Sequence, residues 1–216
     1  MQSIDILIAR LGTKANTESK HIDSDCKAAC NDSHSIKPEL TAEQVADYII
    51  LYCSKNGSYL TNLQLQRMLY TMQCIYFYNT GSLLFSDTFI ASPYGPIIEH
   101  IYHAWSDYGS RQLDVWQPEQ IAKLSDKTSM ISDSIKGFLD DGIKTLAGKT
   151  PWDFARVNQA DDSPWRAVYD KSNPHKEMPN ELLIQNLVWH RNKMAIGKKS
   201  CQLVKYTRLK SCASGC

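Results

Sequence analysis

Residues 60–96 read LTNLQLQRMLYTMQCIYFYNTGSLLFSDTFIASPYGP, and no other stretch constrains the fold as much. Thr61 and Gln64 have the spacing of a capping box, in which a hydroxyl takes a free backbone N–H at a helix start and the glutamine returns the bond. Leu65, Met68, Leu69, Met72, Ile75 and Tyr76 then recur at helical spacing, and Asn79-Thr80-Gly81 stops the helix. After Gly81 the residue types change. Leu83-Leu84-Phe85 and Phe89-Ile90-Ala91 flank Ser86-Asp87-Thr88, which predicts a small β hairpin inserted between helices. Pro93 and Gly95-Pro96 break the chain again, with Pro96 suited to the first turn of a helix whose apolar face is Ile97, Ile98, Ile101, Tyr102 and Trp105.

The flanking sequence continues the helical pattern. Thr41 and Gln44 form another capping box before Val45, Tyr48, Ile49 and Tyr52, and Asn56-Gly57 ends that helix. Residues 107–116 read as loop. Ile131, Ile135, Phe138, Leu139 and Ile143 predict one long helix from about Ser125 to Leu146. Thr150-Pro151 and Ser163-Pro164 are both helix starts, the latter running through Tyr169, and Pro179 precedes a last helix with Leu182, Leu183, Leu187 and Val188. The class is mainly α, a compact multi-helix domain with a small β hairpin inserted between helices.

A chain of 216 residues with 43% hydrophobic residues can bury one substantial core. Four regions are expected: a short amphipathic segment over 1–12, carrying Ile4, Leu7, Ile8 and Leu11; a polar flexible linker over 13–38; the helical domain over 39–197; and a basic, cysteine-containing tail over 198–216. The formal charge of +1 opposes a general nucleic-acid footprint, yet Arg191, Lys193, Lys198, Lys199, Lys205, Arg208 and Lys210 follow the last acidic residue, Glu181. Those seven cations leave −6 for residues 1–181. The tail suits salt-dependent contact with nucleic acid, contact with an acidic partner, or plain solvation. The apolar run Ile6-Leu7-Ile8-Ala9 is too short for a signal peptide or a membrane span. Seven cysteines without a disulfide spacing point to a cytoplasmic protein.

Chemistry-bearing patterns are sparse. His21, Cys26, Cys30 and His34 have helical spacing that zinc could use, or are free side chains of the linker. His100 and His103 stand near Glu99 and Asp107 without a third ligand or an H-E-x-x-H arrangement. Cys53 and Cys74 fall on apolar stripes, where a thiolate is disfavoured. The expectation is a protein without catalytic residues, cofactor or metal. Tyr70, Tyr76 and Trp105 lie on apolar stripes and read as core, although aromatics of this kind also dominate binding hot spots. Gln66 and Gln73, seven apart, share a helix face and can bond either a partner or the Tyr94-Gly95-Pro96 corner.

Leu60 to Tyr70, followed by Gln73, resembles the LTNLKLQKLLYxxQ signature of the Panacea domain, a family of phage-associated proteins and SocA-like antitoxins. Val45-Ala46-Asp47-Tyr48 resembles its VAxYF helix start, Gly81 to Phe85 its GxPLF turn, and Tyr94-Gly95-Pro96-Ile97-Ile98 with Tyr102 its YGPVVPxxY corner. The resemblance runs from about residue 41 to 190, where Trp152 and Asp161 to Trp165 look like a late W…TH…PW region. Val157-Asn158 stands where Thr-His is usual, and Arg67-Met68 replaces Lys-Leu. The resemblance implies an antitoxin that neutralises a cognate bacterial or phage protein toxin by direct protein–protein binding. An adaptor presenting the toxin to a protease, or a DNA-binding autoregulator, are the alternatives. Asn62, Gln66, Tyr70, Gln73, Tyr94, Gly95 and Pro96 are the candidate partner-binding residues.

Overall fold

The computed structural model describes residues 38, 40–115, 117–147, 149, 159 and 161–188. The amphipathic segment, the linker with His21, Cys26, Cys30 and His34, the Thr150-Pro151 start, Val157-Asn158 and the basic tail lie outside the described residues.

Helix α1 spans Ala42–Lys55 and α2 spans Asn62–Thr80. Both capping boxes form. Thr41 Oγ1 accepts from the Gln44 amide at 3.2 Å while Gln44 Oε1 accepts from the Thr41 amide at 3.0 Å, and Thr61 with Gln64 repeats the exchange. A further acceptor comes from 45 residues downstream, because Asp87 Oδ2 takes the Ala42 amide at 3.0 Å. That bond ties the loop after α2 to the start of α1 and places a carboxylate at its positive end. Gly81 closes α2 in the left-handed conformation that glycine adopts without strain, at φ 78°.

The hairpin forms later in the chain than Ser86-Asp87-Thr88. Strand β1, Phe89–Ser92, pairs antiparallel with β2, Gly95–Ile97, around a two-residue turn at Pro93-Tyr94. Strand β3, Lys176–Met178, takes the other side of β1, giving the order β2-β1-β3. Leu83 to Phe85 make no strand beyond a single parallel bridge from Phe85 to Leu40. Their backbone has another partner in a side chain of α2, described below. Pro96 sits in the edge strand and not in a helix. It is buried, and α2 packs on β2, so an amide hydrogen at this covered edge would need an acceptor that proline makes unnecessary.

Helix α3 starts at Glu99 and runs to Ala104, followed by a 3₁₀ turn at Ser106–Tyr108. The helix expected from about Ser125 to Leu146 is two helices, α4 over Pro118–Lys127 and α5 over Asp133–Leu146. Thr128 ends the first: its amide and its hydroxyl both bond the Leu124 carbonyl, at 3.1 and 2.8 Å. The same hydroxyl reaches the Ser125 carbonyl at 3.2 Å, the acceptor that the Ser129 amide would use to continue the helix, and that amide bonds the Asp126 carbonyl at 3.1 Å instead. Proline at the first position of α4 is a start signal in the sequence, at Gln117-Pro118. Helix α6, Pro164–Val168, is capped by Ser163, and residues 180–188 form α7 after Pro179.

The core surrounds α2. Thirteen of its nineteen residues are buried, so it is a central helix and not a surface helix with one apolar stripe. It packs on α1 and α5 on one flank and on β2 and α3 on the other. Tyr70 meets Phe89 edge-on at 5.1 Å, and Tyr76 meets Phe138 at 5.2 Å. The approach to α5 is close enough that a Cβ on Gly142 would lie 2.9 Å from the Met72 methyl.

Candidate partner-binding face

The sheet-facing flank of α2 is lined with amide side chains, and their bonds determine the shape of what stands above them. Gln73 Nε2 donates to the Phe85 carbonyl at 2.9 Å, while its Oε1 accepts from the amides of Leu84 at 2.9 Å and Phe85 at 3.3 Å. The side chain thus supplies both a donor and an acceptor to an extended segment, as a neighbouring strand would. Two turns earlier, Gln66 Oε1 accepts from the Ile98 amide at 2.8 Å, its Nε2 reaches Asn62 Oδ1 at 3.4 Å, and Asn62 Nδ2 donates to the Tyr102 carbonyl at 2.8 Å. Asn62, Gln66 and Gln73 therefore hold the chain just before and just after the hairpin. All three are enclosed, and their amides are engaged inside the protein.

Tyr70 lies between these clamps, fully buried. Its hydroxyl has no aligned acceptor and the Cys74 thiol is its polar neighbour; burial raises both groups, the thiol to about 12. Cys53 is likewise buried, with its thiol raised to about 11, so both stay protonated at neutral pH. Gly95 and Pro96 are buried as well. Tyr94 is different. It stands at the tip of the hairpin with 60% of its surface exposed. Of the seven candidate residues, one presents its side chain to solvent and six position it or fill the interior.

The turn under Tyr94 is braced by two residues outside the seven candidates, Ser92 and Trp165. Ser92 Oγ accepts from the Tyr94 amide at 3.2 Å and donates to the Gly95 carbonyl at 2.7 Å, and Trp165 Nε1 donates to the Ser92 carbonyl at 2.9 Å. Gly95 has φ 106°, a backbone conformation that a side chain would strain. A serine three residues before a glycine in a proline-containing turn is a usable sequence signal. The tryptophan, 73 residues away, is marked only by the resemblance of Asp161 to Trp165 to the late Pro-Trp region.

A separate groove of about 470 Å³ lies between α1, α3 and α4. Ile101, Trp105 and Leu124 supply apolar wall, and Glu43, Asp47 and Lys127 supply charge. Lys127 Nζ is 2.7 Å from Glu43 Oε1 and 3.4 Å from Asp47 Oδ2. The Lys127 bond holds the Glu43 carboxyl below its usual range, whereas burial raises that of Asp47 against the pull of the same lysine. Among the described residues no three His, Cys, Asp or Glu side chains form a metal-binding group, and no helix is long and apolar enough to cross a membrane.

The site is thus a small hairpin clamped by the amides of a central helix within a mainly α domain. Residues 65–166 match the family model described as antitoxin SocA-like, Panacea domain, and that segment is similar to the Panacea family. The match begins on α2 and ends in α6, so it contains Gln66, Gln73, the hairpin and Trp165. No curated protein and no solved structure matches the chain.

Proposed function

We propose that this protein is an antitoxin that neutralises a cognate protein toxin by direct binding and needs no reaction of its own to do so. The observation that carries this reading is the contrast at the hairpin tip: Tyr94 is open to solvent while the residues that hold it are enclosed. An exposed tyrosine on a braced turn offers a large contact area at small conformational cost, which is the property of binding anchors. The buried, protonated state of Cys53 and Cys74 is in keeping with binding as the mode of action. An interface of ordinary size, roughly 1,200–2,000 Å² in total, is sufficient.

The adaptor alternative requires a second interface outside residues 41–190. Expression of the full chain, and of residues 41–190, together with the product of the adjacent open reading frame gives the test. Rescue of growth by both supports sequestration, rescue by the full chain alone supports the adaptor, and the absence of any rescue refutes the antitoxin reading.

A further inference from the structure

Arg67 is the least expected residue on α2. It is 4% exposed, and none of the ion pairs among the described residues includes it. Its Nε and Nη1 atoms are enclosed and have no hydrogen-bond acceptor. A guanidinium has two forked edges, Nε with Nη2 and Nη1 with Nη2, so each edge keeps an open donor. Burial pulls the group down to about 10, which leaves it charged at neutral pH.

The guanidinium lies under the hairpin turn. A Cβ built on Gly95 would be 3.0 Å from Arg67 Cζ, 3.1 Å from Nη1 and 3.2 Å from Gln159 Nε2. Two donor groups therefore converge below Gly95, whose carbonyl accepts from Ser92 Oγ while that of Ser92 accepts from Trp165 Nε1. Among the described residues no anion meets this enclosed cation, an arrangement that costs stability. The contrast with Lys127 is direct, since that lysine is more exposed and has two carboxylates.

We propose that Arg67 is an anion receptor whose ligand is a carboxylate, admitted beneath the Tyr94 turn. A planar carboxylate matches either forked edge with two parallel bonds, and a monoanion is easier to desolvate in so enclosed a place than a phosphate. On the antitoxin reading, on which this part rests, the carboxylate belongs to an acidic side chain of the bound toxin, and Tyr94 packs beside it. The receptor itself does not depend on that reading.

The test uses the full chain labelled with ¹⁵N-arginine, with the Arg67 Nε–H resonance assigned by its loss in Arg67→Lys. Sodium acetate is titrated against sodium chloride at matched ionic strength, with sodium phosphate as the second arm. Acetate should shift the Arg67 resonance saturably, and Arg67→Lys should weaken acetate binding about tenfold through loss of the fork. Arg67→Met should melt above wild type in chloride and should gain nothing from acetate. A resonance that acetate leaves unmoved, or that phosphate alone moves, overturns the proposal. If acetate binds and the wild type neutralises no toxin, the antitoxin reading fails and the receptor stands. If Arg67→Lys loses acetate but neutralises fully, the toxin is not the source of the carboxylate.

Discussion

The two flanks of α2 are held by different means. Towards α1 and α5 the contact is apolar and depends on shape, as with Met72 against Gly142 and Tyr76 against Phe138. Towards the hairpin the contact is made by Gln66 and Gln73, whose amides replace the backbone partners that residues 84, 85 and 98 lack. Helices packing on helices satisfy their own backbones, so size and shape suffice. Irregular chain satisfies nothing by itself, and α2 must supply the bonds.

Removing a clamp should therefore cost more than removing comparable apolar volume. Gln73→Leu keeps the size but orphans two amides and a carbonyl in the interior, and should destabilise by roughly 3–5 kcal/mol in chemical denaturation. Met72→Ala on the opposite flank should cost about 2–4 kcal/mol. If the order reverses, the amides are incidental and the comparison fails. Gly95→Ala sharpens it locally: positive φ and the contact with Arg67 should together cost about 1–3 kcal/mol, and toxin affinity should fall with it.

Smaller effects separate local from tertiary contributions. Thr61→Ala removes one bond of a capping box and should cost about 1 kcal/mol by thermal melting. The Glu43–Lys127–Asp47 cluster gives the smallest change, visible mainly in its pH dependence. Glu43 is lowered, so its contribution is present above its ordinary value and lost as pH falls through the folded value. Asp47 is raised, so its ionisation costs stability, and stability recovers as pH falls from the raised value towards the ordinary one. Asp47→Asn should abolish that recovery and leave only the acid loss from Glu43, which melting between pH 3 and 7, about the carboxylate range, would show.

Both capping boxes were legible in the sequence because each lies within four residues, and the helix starts at Pro164 and after Pro179 were legible for the same reason. The hairpin was misplaced by its own composition. Leu83-Leu84-Phe85 has strand chemistry, but Gln73 takes its backbone bonds. Lys176-Glu177-Met178 has no alternation to announce β3, which exists because β1 offers an edge. The break between α4 and α5 depends on where one threonine hydroxyl points, and Arg67 reads as a routine exchange for lysine until its surroundings are seen. In the candidate site, the pattern found the bracing residues before it could tell them from the exposed one.

Pro96 has a consequence for recognition. Many partners bind small sheets by adding a strand, using the free amides of an edge as a template. Here the outer strand is three residues long, buried against α2, and carries proline at its centre, while the opposite edge is a short strand with exposed Lys176 and Glu177. Main-chain mimicry has no footing on this sheet. A protein that engages the hairpin must read side chains, which makes its fit sensitive to single substitutions and keeps the sheet from templating its own aggregation.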